Sequence, residues 1–268
     1  MHKIKRREAL KLIGSGSACL AGGALFSCGG KKQHIVTLSF DDGFEKSSIE
    51  TARIYEKYGL SASINVIATA HLKGFELPNE YHAWPSADFE LWNELQERGH
   101  EIMPHTYKHV NLTQVPFEQA TSLIMKCFGV FVEELKGFRQ ENSVYVFAHN
   151  ASTPELEEWL GPRVRAFRTA GGAFNPLPYK GQKKLTCGSH GPENIDRALE
   201  KDLNDFLDGP SGWFIYNTHG LDNEGWGPMS SGFLDELLDK LVNHETASVL
   251  SMTQALDLAK GRERKLTD

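Results

Sequence analysis

An α/β architecture with parallel strands, either a barrel or a doubly wound sheet, is what the order of segments in this chain predicts. Apolar strand-length runs alternate with amphipathic helical segments about seven times. No sequence repeat, low-complexity segment or interdomain linker interrupts the alternation. Asp41, Asp42, His105, Arg168 and His219 all fall just after predicted strands, and strand ends are where sites gather in both architectures.

The first predicted strand is Ile35–Phe40, followed by a helix near Ser48–Tyr58 and a strand over Ser61–Ile67. A loop rich in Gly, Pro and aromatics then leads to a helix near Asp88–Glu97, with Ser86 as its expected cap. Next come a strand His100–Pro104, a helix within Phe117–Leu135, a strand Val144–Phe147 and a helix near Pro154–Leu160. A short strand ends at Arg168, and a looser stretch runs from there to a helix near Ile195–Leu207. The strand Trp213–Asn217, the helix Phe233–Asn243, the strand Ala247–Leu250 and a helix from about Thr253 complete the series.

The 268 residues are 40% hydrophobic, enough for one substantial core. Residues 1–27 read as an export signal, because a basic stretch through Arg6 and Arg7 precedes an apolar, Gly- and Ala-rich run from Leu12 to Phe26. At roughly fifteen residues the run is short for a membrane span. Arg6-Arg7 is compatible with a twin-arginine signal as well as with general secretion. Leu25-Phe26-Ser27-Cys28 resembles a lipobox, making Cys28 the expected lipidation site, residues 28–33 a tether and residues 34–268 the catalytic domain. Cleavage before Cys28 would leave 24 Lys+Arg against 34 Asp+Glu, a net charge of about −10. Such an acidic domain excludes nucleic acid as a natural partner and leaves the lipid anchor as its only route to a membrane. Cys127 and Cys187 are left in the fold, as a disulfide or as two buried thiols.

Two motifs carry chemistry. Ser39-Phe40-Asp41-Asp42-Gly43 delivers adjacent carboxylates to a strand end, and such a pair in low dielectric needs a cation or a proton. His105 and His109 stand four residues apart, so a helical turn or a tight loop aims both imidazoles one way. Alone, the first motif is more often an exposed turn and the second an exposed helix face. Together, each at a strand end, they describe a metal site.

In that order and at that separation the two motifs resemble those of the polysaccharide deacetylase family, metal-dependent carbohydrate esterases that remove acetyl groups from glycans. The resemblance implies a distorted, incomplete barrel of about seven strands and an acetylated glycan as substrate. It makes Asp42, His105 and His109 the ligands of a divalent metal, with Asp41 as general base. Zinc suits that ligand set, and cobalt or nickel fit the same geometry. The Tyr107 backbone N–H would face the oxyanion, and His219, ending the late strand, would be the general acid. In the family an arginine pairs with the base from a turn after the fourth strand. Here that stretch is Phe147-Ala148-His149-Asn150-Ala151, without arginine, and Arg168 is the substitute within reach. His190, Asp222 and Trp226 complete the expected pocket, the tryptophan placed to stack on a pyranose ring. The same constellation serves N-acetyl and O-acetyl groups, and the absent arginine leaves a glycan-binding lipoprotein on a degenerate barrel as a third reading.

Overall fold

The computed structural model describes residues 32–76 and 84–259. The export signal and Cys28 lie outside those residues. Strand β1 (His34–Phe40) is buried along its whole length, and β8 (Gly212–Thr218) pairs with it in parallel at every position, from His34 with Gly212 to Phe40 with Thr218. Along β1 the apolar Val36, Leu38 and Phe40 alternate with Thr37 and Ser39, and both faces are buried. Around them stand β2 (Ser63–Val66), β3 (Glu101–Pro104), β4 (Val144–Val146), β5 (Ala166–Ala170) and β7 (Lys184–Ser189). The order β3-β2-β1-β8-β7-β5-β4 gives a nearly closed seven-strand parallel barrel. Its one unsealed seam lies between β3 and β4. Across it the Val144 N–H meets Met103 Sδ at 3.3 Å, and His105 Nδ1 meets the Val146 carbonyl at 3.1 Å.

The looser stretch after Arg168 holds two strands absent from the sequence reading. One is β6 (Phe174–Asn175), antiparallel to β8, and the other is β7, a stave of the barrel. In β7 only Leu185 and Cys187 are buried, between lysines and a glycine, too little to register as a run. Conversely β9 (Ala247–Val249), expected as a stave, only extends the lower half of β1. The expected count of seven therefore stands with one member exchanged.

Helices α1 (Glu45–Lys57), α2 (Phe89–Glu97), α3 (Phe117–Glu134), α4 (Pro154–Leu160), α5 (Asp196–Asp208) and α6 (Ser231–Val242) follow β1, β2, β3, β4, β7 and β8 in turn. Asp88, not Ser86, caps α2, its Oδ1 accepting from the Glu90 and Leu91 N–H groups at 3.0 and 3.3 Å; Ser86 instead bridges to Phe44. The last helix, α7 (Met252–Asp257), places Met252, Ala255 and Leu256 in one cluster with Ile35, Val144, Trp213 and Ile215. Val36, Leu38 and Phe40 belong to the larger cluster shared with the helices. Strand alternation therefore runs Ile35, Thr37, Ser39 and Asp41 up the barrel interior. Cys127 and Cys187 are free buried thiols, and among the described residues no helix is long and apolar enough to cross a membrane.

Candidate metal centre and active site

Asp41 tops the interior column and is 2% exposed. Its Oδ1 accepts from Asn65 Nδ2 at 2.7 Å and its Oδ2 from Arg168 Nη2 at 2.5 Å. Arg168, fully buried, also donates to Ser39 Oγ and to Asn150 Oδ1, each at 3.0 Å. The arginine thus arrives from the middle of β5, inside the strand and not just after it as the sequence suggested, with the turn after β4 contributing Asn150. Removing one member of such a buried pair leaves an uncompensated charge, at a cost of about 3–5 kcal/mol.

At Asp42 the chain turns with φ 72° and Gly43 continues at φ 75°; a Cβ on Gly43 would lie 3.1 Å from Trp92. The turn swings Asp42 toward the histidine loop. Asp42 Oδ1 lies 3.4 Å from Nε2 of both His105 and His109, and the three side chains form a buried cluster whose ligand atoms lie within 4.8 Å of one another. Asp42 Oδ1 and His105 Nε2 are buried without a hydrogen-bond partner, which unfilled ligand atoms would be. Ligand atoms on one tetrahedral ion at bond lengths of about 2.0–2.2 Å stand roughly 3.3–3.6 Å apart, so these residues fit a metal. The His105 Nδ1 contact with Val146 holds the ring with Nε2 free to coordinate.

Charges are tuned to match. Burial pushes His109 down to about 4, keeping it the neutral imidazole that binds metals. Burial also presses on His105, but Asp41 and Asp42 outweigh it and hold that imidazole above its ordinary value. Burial opposes a charge on Asp42, yet the surrounding imidazoles, His109 first, keep its carboxyl far below the usual carboxylate range.

His219 follows β8 and bears electrostatically on both Asp42 and His109. Its Nδ1 is buried without a partner, and the Trp226 ring meets it edge-on at 5.6 Å. Glu224 fixes this loop, accepting from the Ser47 N–H at 2.9 Å and from the Ser47 hydroxyl. The Thr106 carbonyl accepts from the Ala68 N–H at 3.0 Å, which fixes the peptide plane whose other side carries the Tyr107 N–H. Asp222 turns elsewhere, accepting from the Ser231 N–H at the start of α6 at 2.9 Å. His190 is exposed and pairs through Nδ1 with the Tyr216 hydroxyl at 2.5 Å.

Three contributors were given no site role from sequence: Asn65, Asn150 and His149, whose ring lies 4.6 Å from that of His109. Asn65 had a signal, a polar residue inside a buried strand. A further regularity is visible only in the backbone. The non-glycine residues with left-handed φ among those described are Asp42, Thr106, His109, His149, Asn150 and Asp222. All sit in loops at strand ends on the site's side of the barrel, where strain of about 1–3 kcal/mol per residue persists only if the surroundings enforce it.

The family model described as polysaccharide deacetylase matches residues 29–187, more than half of the chain. The chain belongs to the polysaccharide deacetylase family. Solved structures agree on the fold of this deacetylase-family member. A putative polysaccharide deacetylase from Mycobacterium smegmatis is 13% identical, with 93% of this chain and 99% of that one covered and a TM-score of 0.65. A family 4 acetyl xylan esterase from Clostridium thermocellum, solved with a cobalt ion, is 15% identical over 85% and 92% of the two chains, with a TM-score of 0.57. Peptidoglycan deacetylase from Bacillus subtilis is 16% identical over 86% and 93%, with a TM-score of 0.54. No curated protein matches the chain by sequence. The family match ends before His219, so the late loop is placed by geometry alone.

Proposed function

We propose that this deacetylase-family protein hydrolyses N-acetyl groups on a glycan in the cell envelope, exported by residues 1–27 and anchored through Cys28, with residues 34–268 as catalytic domain. The observation that carries the catalytic reading is the reach of Arg168 to Asp41 beside the partnerless Asp42–His105 pair. A barrel kept only for binding glycans has no use for a buried base clamped next to unfilled ligand atoms.

Asp42, His105 and His109 would hold the metal, zinc being the ion their donor set suits best. When bound, the ion supplies Lewis acidity, drawing electron density from the acyl carbonyl and easing loss of a proton from the attacking water. Asp41, held on both oxygens by Asn65 and Arg168, accepts that proton without turning away from the acyl carbon. The Tyr107 N–H donates to the oxygen that gains negative charge. His219, steadied by Trp226, protonates the departing nitrogen. An amine leaves only once protonated, and this imidazole supplies that proton.

Elemental analysis of leaderless protein, with acetate release from N- and O-acetylated oligosaccharides, tests the reading. Near-stoichiometric metal with amide cleavage is expected for the wild type, and His105→Ala should lose both while staying folded. Wild type that takes up no metal after reconstitution sinks the proposal; cleavage of esters alone moves it to O-deacetylation. The mass of the mature N-terminus, with and without Cys28→Ala, checks the anchor.

A further inference from the structure

Beside the metal centre runs a cleft of about 780 Å³, a size typical of small-ligand sites. His109 and His149 line it, so the cleft opens directly off the metal cluster. Leu72, Phe75 and Val110 give it an apolar wall, and Asn111 and Gln114 add amides. That mixture suits a sugar, whose ring face is apolar and whose edge is hydroxylated.

Two features give the cleft a more specific character. Lys73 and Lys108 both line it, and among the described residues neither ammonium forms an ion pair; Lys108 lies only over the Tyr107 ring, 5.7 Å from its centroid. Glu76 is the one carboxylate of the lining. In a chain of net charge −6, a binding cleft with an excess of unpaired cations stands against the general field. The second feature is His149 itself. His149 and Asn150 are consecutive left-handed residues, at φ 57° and 50°, each costing about 1–2 kcal/mol for an L-residue. Asn150 is held there by Arg168 at 3.0 Å and by the Thr169 hydroxyl on its carbonyl at 3.0 Å. Its neighbour's exposed imidazole is thereby set against His109 at the cleft's inner end. The clamp on Asp41 and the cleft wall are one piece of structure.

We propose that this cleft is the subsite for the sugar adjoining the one that loses its acetyl group, and that it selects an acetylated glycan whose adjoining sugar bears a carboxylate. Lys73 and Lys108 bind the carboxylate, and His149 positions the adjoining ring against the metal centre. The inference rests on the deacetylase reading and names its substrate class.

The test compares a neutral N-acetylglucosamine oligosaccharide with one of equal length in which alternate sugars carry a carboxylate. Acetate release and calorimetric binding are measured for wild type, Lys73→Gln/Lys108→Gln and His149→Ala, at low and high salt. Exposed ion pairs contribute up to about fivefold each, so the wild type should favour the anionic oligosaccharide by about tenfold. The double variant should bring that preference to parity, and salt should erode it in the wild type. His149→Ala should raise KM on both oligosaccharides with metal content unchanged. Equal use of the two oligosaccharides by the wild type, a preference that survives the double substitution, or an unmoved KM in His149→Ala would overturn the assignment. If neither oligosaccharide releases acetate, the deacetylase reading fails by itself. Calorimetry then still decides the subsite: lysine-dependent tighter binding of the anionic oligosaccharide supports it, and equal binding overturns it.

Discussion

The barrel buries carboxylates at both ends and finishes them differently. At the lower end Glu101, which opens β3, accepts from Ser63 Oγ at 2.7 Å, Ser251 Oγ at 3.0 Å and the Met252 and Thr253 N–H groups at 3.1 and 2.7 Å. Those amides begin α7, so its dipole adds to the attraction. Both Glu101 oxygens are satisfied. At the upper end Asp42 Oδ1 and His105 Nε2 are equally buried and have no partner. Two ends of one fold are told apart by hydrogen-bond completeness: the saturated end holds the structure together, and the unsaturated end presents buried atoms able to coordinate a metal.

Arg168→Met is the variant that most severely tests this division, since Arg168 binds Ser39, Asp41 and Asn150 at the upper end while its Nε stays buried without a partner. Losing it should cost about 3–5 kcal/mol of stability and nearly all acetate release, read by denaturant melts alongside the assay. Stability close to wild type would show that Asp41 is not dependent on the guanidinium. Glu101→Ala should destabilise by about 3 kcal/mol through its stranded donors while activity per folded molecule stays intact; a loss of specific activity would mean the two ends are not separable. Chelation should act only on the upper end, lowering stability by about 2.7 kcal/mol if the ion had been present at a hundred times its Kd, and His105→Ala should be indifferent to it.

The smallest effect concerns pH at the lower end. Burial holds His100 below its ordinary 6.5, although Glu56, at 3.2 Å from Nε2, pulls the other way. The Ala62 N–H donates to Nδ1 at 3.2 Å, as a neutral ring requires. With the folded value depressed, the unfolded chain takes up the proton first as pH falls below 6.5, so stability declines from there toward the folded value. Melts of His100→Gln against wild type across that window should show a shallower decline; parallel curves would remove His100 from the account.

Much of this was legible in sequence because it repeats at fixed intervals. The period-two alternation of β1 reveals which face Asp41 occupies, and the four-residue spacing of His105 and His109 reveals a shared aim. The rest depends on contacts without a period. Arg168 approaches Asp41 from 127 positions away, and only the neighbouring of β5 and β7 in the sheet makes that approach short. Asn150 supports the arginine through a backbone conformation that residue identity does not announce. The exchange of β9 for β7 has a similar origin, since Ala247–Val249 reads as well as Lys184–Ser189 until pairing partners are known.

The open seam between β3 and β4 joins metal chemistry to mechanics. With no ladder sealing those strands, the Nδ1 contact of His105 with Val146 is one of the stitches across the gap. Coordination on the other face of the same ring would turn that stitch into a rivet. Occupancy should then be readable far from any glycan, as slower deuterium uptake by amides of β3 and β4 in the loaded protein while the β1–β8 ladder exchanges at its former rate.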